Sequence, residues 1–83
     1  MYTSCKYVVM SAVEDYGNRE NIYVFPHNVV HKTVSKRMNG TPVAAGFVGR
    51  NEDGMLFCTG RSESLQLKSR PQIDTMLLQE LLP

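Results

Sequence analysis

The stretch PHNVVHKTVSKRMNG, residues 26–40, decides the predicted fold, because it has clear helical spacing and strand-like runs lie on both sides of it. At 100° per residue its valines, threonine and methionine share one arc, and its lysines and serine share the other. Asn28 is the predicted N-cap, and Gly40 can take the left-handed conformation that follows a last helical turn. We therefore predict an amphipathic helix over residues 28–39 that packs its apolar side on a sheet.

Two strands are predicted before this helix. Residues 7–13 are apolar on both faces, which is typical of an inner strand. Residues 22–25 form a short β-branched and aromatic run, which Pro26 ends because proline has no amide donor. The polar residues 14–21 between the two runs predict a connecting loop.

A second hairpin is predicted after the helix. Residues 43–49 and 55–61 read as strands, and the turn sequence NEDG lies between them with Gly54 able to adopt a positive φ. The first of these strands has small residues at its centre, including Gly46. A glycine inside a strand indicates a bulge or a closely approaching backbone, and the helix lying over the sheet is the simplest cause.

The last part of the chain predicts less regular structure and then a terminal helix. Leu65 and Leu67 alternate, which fits a short edge strand or an extended loop. Residues 69–72, SRPQ, resemble a capping box with proline in the first turn, so a helix is predicted over residues 73–82. The whole chain then forms one α+β domain in the order β-β-α-β-β(-β)-α. We expect a mainly antiparallel sheet with one face covered by the 28–39 helix, and a short C-terminal helix.

Composition excludes several classes of protein. The 83 residues are 42% hydrophobic and 20% charged, with a net charge of +1, so the chain is neither disordered nor strongly attracted to polyanions. The two cysteines, Cys5 and Cys58, do not make a disulfide framework. No signal pattern or membrane-length apolar run is present, so we expect a cytoplasmic protein with reduced thiols, no membrane contact and no cofactor.

Basic residues of the helix and the second hairpin suggest one possible binding surface. Phosphate contacts require such charges, and single-strand binders also need exposed aromatic rings, for which Tyr23 and Phe25 are the available candidates. The alternative is an ordinary solvated helix face. Arg37, which projects near the middle of the apolar arc, then either marks a frayed end of the helix or lays its aliphatic stem on apolar surface with the guanidinium in water. The residues predicted to bind a partner or nucleic acid are Lys32, Lys36, Arg37, Arg50 and Arg61.

Histidine and cysteine side chains suggest a metal- or thiol-dependent enzyme as a further hypothesis. His27 and His31 are four residues apart, which is the spacing of metal ligands on a helix. A third ligand would have to be Cys5, Cys58 or a distant carboxylate, and a catalytic Cys58 would need one of the histidines beside it. The alternative is that the histidines border the apolar face and Cys58 is a small buried group, so we predict no metal site and no catalytic residue.

The C-terminal helix carries more leucine than one sheet face can bury. Contiguous exposed apolar surface usually marks an interface, and a symmetric dimer is the commonest result. The alternative is a helix packed deep between the sheet and a loop. The residues predicted to form a dimer interface are Leu77, Leu78, Leu81 and Leu82.

Three segments carry a resemblance to known sequences: residues 24–26 (VFP), 45–48 (AGFV), and 60–71, which run from GRSESL to SRP. In these segments the chain resembles small, uncharacterised accessory proteins encoded by phages and prophages. The resemblance implies an accessory or host-interaction role and assigns no active site. The leading hypothesis is therefore a non-enzymatic interaction protein, a homodimer, that binds an unidentified protein, with nucleic acid as the alternative partner.

Overall fold

A computed structural model describes residues 5–82 and has the predicted α+β architecture. Four strands form an antiparallel sheet in the order β2-β1-β3-β4, and two short strands, β5 and β6, form a separate ladder. The first three strands span ten residues each: β1 is Cys5–Glu14, β2 is Gly17–Pro26 and β3 is Thr41–Arg50. The remaining elements are β4 (Leu56–Thr59), β5 (Arg61–Ser62), β6 (Leu67–Lys68), α1 (His31–Arg37) and α2 (Pro71–Leu81).

Strand β1 lies inside the sheet and is buried on both faces, as its apolar run predicts. Tyr7 and Val9 pack into one core cluster with Leu78 of α2. Val8 and Met10 point the other way, into a second cluster that includes the apolar side of α1. The two helices therefore cover opposite faces of the sheet, with α1 on one and α2 on the other.

The first hairpin is longer than predicted, and the predicted loop over residues 14–21 is wrong. Glu14 pairs directly with Gly17, so only Asp15 and Tyr16 form the turn. The polar residues that follow belong to β2, which lies at the edge of the sheet. An edge strand exposes polar side chains to water at little cost, so strand pairing prevails over a composition that resembles a loop.

Helix α1 is shorter than the predicted 28–39 segment. Its N-cap is Val30, in an extended conformation and without a side-chain cap, so Asn28 is not the N-cap. A turn in which the amide of Val29 donates to the carbonyl of Pro26 occupies the chain just before it. Gly40 has the expected positive φ of 103°.

The glycine of β3 marks a close approach, as predicted, but the approaching backbone is not the helix. A Cβ atom on Gly46 would collide with the carbonyl oxygen of Thr59, at the end of β4. The ladder between β1 and β3 also shifts its register: Val9 pairs with Ala44 and Met10 with Pro42, which leaves one extra residue in β3. This bulge explains why a proline is tolerated there.

Helix α2 starts two residues earlier than predicted and closes one edge of the sheet. Its N-cap is Arg70, and the backbone amide of Arg70 donates to Asp74 Oδ2, so the predicted box from Ser69 to residue 72 is not what caps it. The amide of Cys58 in β4 donates to Thr75 Oγ1 at 2.9 Å, which satisfies an outward-facing group of that edge strand. Neither this helix nor α1 is long and apolar enough to cross a membrane.

Candidate functional site

A buried polar network fastens α2 to the sheet. Asp74 is fully buried and accepts hydrogen bonds from the Tyr7 hydroxyl at 2.5 Å and from the Arg70 amide at 2.8 Å. The Arg70 guanidinium bonds to Asp74 Oδ1 at 3.0 Å and reaches Glu20 on β2 through two bonds of 2.9 and 3.2 Å. One arginine thus joins a carboxylate under the helix to a carboxylate on the edge strand.

The network stabilises the fold, and its Tyr7 and Asp74 end is buried, whereas the side chains of Arg70 and Glu20 are 29% and 34% exposed. Burial, followed by the hydrogen bond to Asp74, raises the pKa of Tyr7 far above its ordinary value. The bond from Arg70 lowers the pKa of Glu20, so both partners stay charged at neutral pH. Sequence reasoning missed these four residues. The available signal was the pair Arg70 and Asp74, four residues apart across the start of a predicted helix.

His31 is the buried residue of α1 and attaches this helix to the other face. Its Nε2 lies 2.9 Å from the carbonyl oxygen of Gly46, which can only accept, so Nε2 carries the proton. Its ring stands edge-on to Phe25 and Phe47, with centroid distances of 5.3 and 5.9 Å. Burial lowers the pKa of His31, and the nearby charge of Lys6 acts in the same direction.

The hypothesised histidine and cysteine cluster is not assembled. His27 is exposed in a turn before α1, whereas His31 is enclosed in the helix, so the two are not on one helical face. Cys58 belongs to the cluster on the α2 face, opposite His31. Cys5 and Cys58 are both aligned with Val48 across two strand spacings, roughly 9–10 Å, which is too far for a disulfide. Within residues 5–82 no three potential ligands gather as a metal site would require.

The predicted basic residues are all exposed, but they do not form one patch. Three of them, Lys32, Lys36 and Arg37, lie on α1. The amide of Lys32 donates to the Ser64 hydroxyl, so the nearby Arg61 of β5 lies on the same side of the molecule. Arg61 pairs with the exposed Glu63 at 3.1 Å, and such surface pairs contribute little. The remaining member, Arg50, lines a hollow on the α2 face instead.

The aromatic rings proposed for base stacking are not on that basic surface. Phe25 is buried in the cluster beneath α1, and Tyr23 is half-buried against the same cluster. Stacking requires an exposed ring face, which these two residues do not provide. Arg37 is exposed and is the last residue of α1, so the helix ends where the apolar pattern is interrupted.

The four predicted interface leucines divide into two pairs. Leu78 is 2% exposed and belongs to the core, and Leu77 packs against the same cluster. Leu81 and Leu82 are 60% and 43% exposed. They border a hollow of about 370 Å³, here called the leucine hollow, whose other lining residues include Cys5, Val24, Val48, Arg50 and Leu56.

A larger hollow of about 820 Å³, here called the β2-edge groove, follows the free side of β2. Its floor is residues 19–25 of β2. Val34 of α1 and Met38, the residue after this helix, line it from one face of the sheet, and Leu77 and Leu81 of α2 line it from the other. Because side chains from both faces meet in one hollow, the groove must run around the edge of the sheet. Sequence reasoning missed it, although the run Ile22–Phe25 is apolar on both faces.

Comparisons with protein-family models, with curated proteins and with solved structures find no match for this chain. Its function therefore has to be inferred from its own side chains. Two other hollows, one beside Arg61 and one beside Arg70, have charged and polar residues as half or more of their lining. The leucine hollow and the β2-edge groove are lined mainly by apolar residues. They share Val24 and Leu81, so together they form one continuous apolar region.

Proposed function

We propose that this chain is a non-enzymatic interaction protein that binds another protein. The supporting observation is the continuous apolar region formed by the leucine hollow and the β2-edge groove around Val24 and Leu81. A small monomeric protein rarely leaves a large contiguous apolar surface in water, and such surfaces usually mark interfaces. The resemblance to phage and prophage accessory proteins supports the same role, which would be performed in the cytoplasm.

The proposal includes self-association through the leucine hollow. Leu81 and Leu82 stand out from the end of α2, and Leu56 lies beside them in the same hollow. A two-fold interface there would bring equivalent leucines of two copies together and remove them from water. Light scattering after gel filtration should give the mass of a dimer for the natural chain and of a monomer for Leu82→Lys. A monomeric natural chain at tens of micromolar would remove this part of the proposal.

An affinity pull-down from a host lysate, with and without nuclease, tests the partner. A protein recovered equally with and without nuclease supports the interaction function. The matched control is Val13→Lys, because Val13 is 86% exposed and lies outside both hollows. Recovery that is the same for the natural chain, for Leu81→Lys and for the control would contradict a partner bound at the apolar region.

Nucleic-acid binding is the second candidate, and one observation favours it. Lys32, Lys36 and Arg37 are exposed and have no ion-pair partner among residues 5–82, and Arg61 lies on the same side. These cations could neutralise phosphates, although the Phe25 ring predicted for base stacking is buried. Binding that falls steeply with added salt, and with a Lys36→Ala substitution, would support it. Binding that is independent of salt would exclude it.

A further inference from the structure

On the basis of the proposed function, we infer that the β2-edge groove binds an extended segment of a partner protein, which pairs with β2 as a fifth strand of the sheet. The segment is apolar on both of its faces over about four residues, with a basic residue before this run and an acidic residue after it. Strand addition at a sheet edge is a common mode of peptide recognition, in which backbone bonds give affinity and side-chain pockets give selectivity.

The backbone of β2 offers the hydrogen bonds that such a segment needs. In an antiparallel ladder, every second residue directs its N–H and C=O groups away from its partner strand. Pro26 has no N–H and stands opposite Cys5 in the ladder, so it belongs to the set that does not bond to β1. Ile22 and Val24 belong to the same set, and their amides therefore face the groove.

The walls of the groove explain why the segment must be apolar on both faces. Residues of an added strand point alternately to the α1 side and to the α2 side. On the α1 side they would meet Val34 and Met38, and on the α2 side Leu77 and Leu81. An ordinary edge-binding peptide with one polar face would bury that face against a helix, so the two walls select against it.

Charges at the groove set the residues that flank the segment, which we place antiparallel to β2 because every pair in the described four-stranded sheet is antiparallel. Arg19 lies on the α1 side, in phase with Phe25, and Glu80 extends from α2 on the other side. Neither forms an ion pair with another residue of the described chain.

Glu80 is next to Leu81, which lines both hollows together with Val24, so a basic residue that meets Glu80 stands opposite Val24. In an antiparallel segment this basic residue comes first and an acidic residue opposite Arg19 comes last, with four residues between them. Residues five positions apart in a strand point to opposite faces. The basic residue therefore points to the α2 side, toward Glu80, and the acidic residue to the α1 side, toward Arg19.

A second copy of β2 satisfies the apolar requirement but not the charges. Two β2 strands related by a two-fold axis perpendicular to the sheet keep the same face on the same side. A pairing centred on Ile22 places Phe25 of the copy opposite Arg19, and Glu20 of the copy opposite Val24 on the side of Glu80. The copy therefore supplies no acidic residue for Arg19 and no basic residue for Glu80. A partner segment of the opposite pattern is therefore favoured over pairing of β2 with itself.

A peptide titration followed by NMR tests the inference. The probe is Ser-Lys-Val-Ile-Tyr-Val-Asp-Ser fused to a soluble carrier, and the matched control exchanges its lysine and aspartate. We expect the probe to bind saturably and to shift the amide resonances of Ile22 and Val24. The control should bind about threefold to tenfold more weakly, because the cross-strand contact with Arg19 and the contact with Glu80 on the helix wall are both reversed. Equal binding of the two peptides would contradict the charge assignment, and no binding up to about 1 mM would overturn the inference.

Two protein variants locate the binding site. Val24→Lys places a charge in the groove at a position that is already 40% exposed, and Leu81→Lys does the same from the helix wall. Each should abolish binding of the probe with its circular dichroism spectrum and melting behaviour retained, whereas Val13→Lys should bind as the natural chain does. If Val24→Lys fails to fold, Leu81→Lys carries the test. Binding that survives both substitutions would overturn the assignment to this groove.

The oligomeric state of the variants shows whether the inference about β2 fails alone or together with the proposed function. A dimer that Val24→Lys dissociates and Leu82→Lys does not would assign the β2 edge to a second copy, which overturns this inference and leaves the interaction function standing. If partner recovery depends on Leu82 but the peptide shifts no amide resonance of β2, the inference about the groove is wrong and the interaction function still stands. If there is no dimer, no partner recovery and no peptide binding, both proposals fail.

Discussion

Replacing the buried carboxylate of Asp74 tests whether the polar network holds α2 on the sheet. Asp74→Ala removes the acceptor for the Tyr7 hydroxyl, the Arg70 amide and the Arg70 guanidinium. The Tyr7 hydroxyl is then buried without a partner, whereas the Arg70 side chain is 29% exposed and keeps its bonds to Glu20. An unsatisfied buried hydroxyl costs about 1–3 kcal/mol, and the lost charged bond to Arg70 adds about 1.5–3 kcal/mol. A domain of this size has a free energy of unfolding of roughly 4–12 kcal/mol, so the loss is a large part of the total.

The conservative variant Asp74→Asn isolates the charge. An asparagine has one acceptor oxygen, so it can serve the guanidinium or the pair formed by the Tyr7 hydroxyl and the Arg70 amide, but not both. One charged hydrogen bond is then lost, which costs about 1.5–3 kcal/mol. The melting temperature should fall by about 10–20 °C, at about 4–8 °C for each kcal/mol in a small domain.

Urea denaturation followed by circular dichroism measures these costs, and a double-mutant cycle of Asp74→Ala with Tyr7→Phe separates the contact from its surroundings. We expect the two single substitutions to be coupled by about 1–2 kcal/mol, because they remove the two ends of one bond. Asp53→Asn is the matched control, since Asp53 lies exposed in the second hairpin turn and should change stability by less than about 0.5 kcal/mol. A cost for Asp74→Asn below about 1 kcal/mol, or additive effects in the cycle, would refute the reasoning.

Three further measurements follow from single side chains. Burial lowers the pKa of His31 below 6.5, so the unfolded chain takes up the proton first as the pH falls. The free energy of unfolding, measured in urea, should therefore decrease as the pH drops below about 6.5, and His31→Gln should lose this dependence. Cys58 is buried, and burial raises its pKa to about 11, so it should react slowly with a thiol reagent at about pH 8. Mass spectrometry should therefore count one label, on the half-buried Cys5, in the folded protein and two labels after denaturation. Gly46→Ala should cost about 1–3 kcal/mol in a denaturant titration, because its Cβ meets the carbonyl of Thr59; a neutral effect would disprove that close approach.

Periodicity was sufficient to predict the α+β class and the order of the elements. The inner position of β1 follows from apolar side chains on both of its faces, and the second hairpin follows from its turn. Boundaries were predicted less well wherever tertiary contacts prevail over local preference. The polar start of β2 pairs with β1 although it resembles a loop, and α1 begins at His31 because a turn occupies the residues before it.

The interior contacts could not be predicted from local spacing, because their partners are distant in the chain. Tyr7 and Asp74 are 67 residues apart, and Arg70 and Glu20 are 50 residues apart. The leucines of α2 were predicted to be in excess. Which of them would be buried depends on how the helix rotates over the sheet, and the network at Asp74 fixes that rotation, which places Leu78 one turn later in the core.

The two edges of the sheet differ, and this difference limits the size of any assembly that uses them. Helix α2 packs along β4, and its Thr75 hydroxyl accepts the hydrogen bond of the Cys58 amide, so this edge is occupied. The outer side of β2, at the other edge, is open. A filament built by strand pairing needs two available edges on every subunit, so that growth can continue from both. A chain with one available edge accepts a single strand, and no further subunit can be added through its sheet. On the proposed function, an assembly formed through this sheet would therefore stop at one partner strand for each chain.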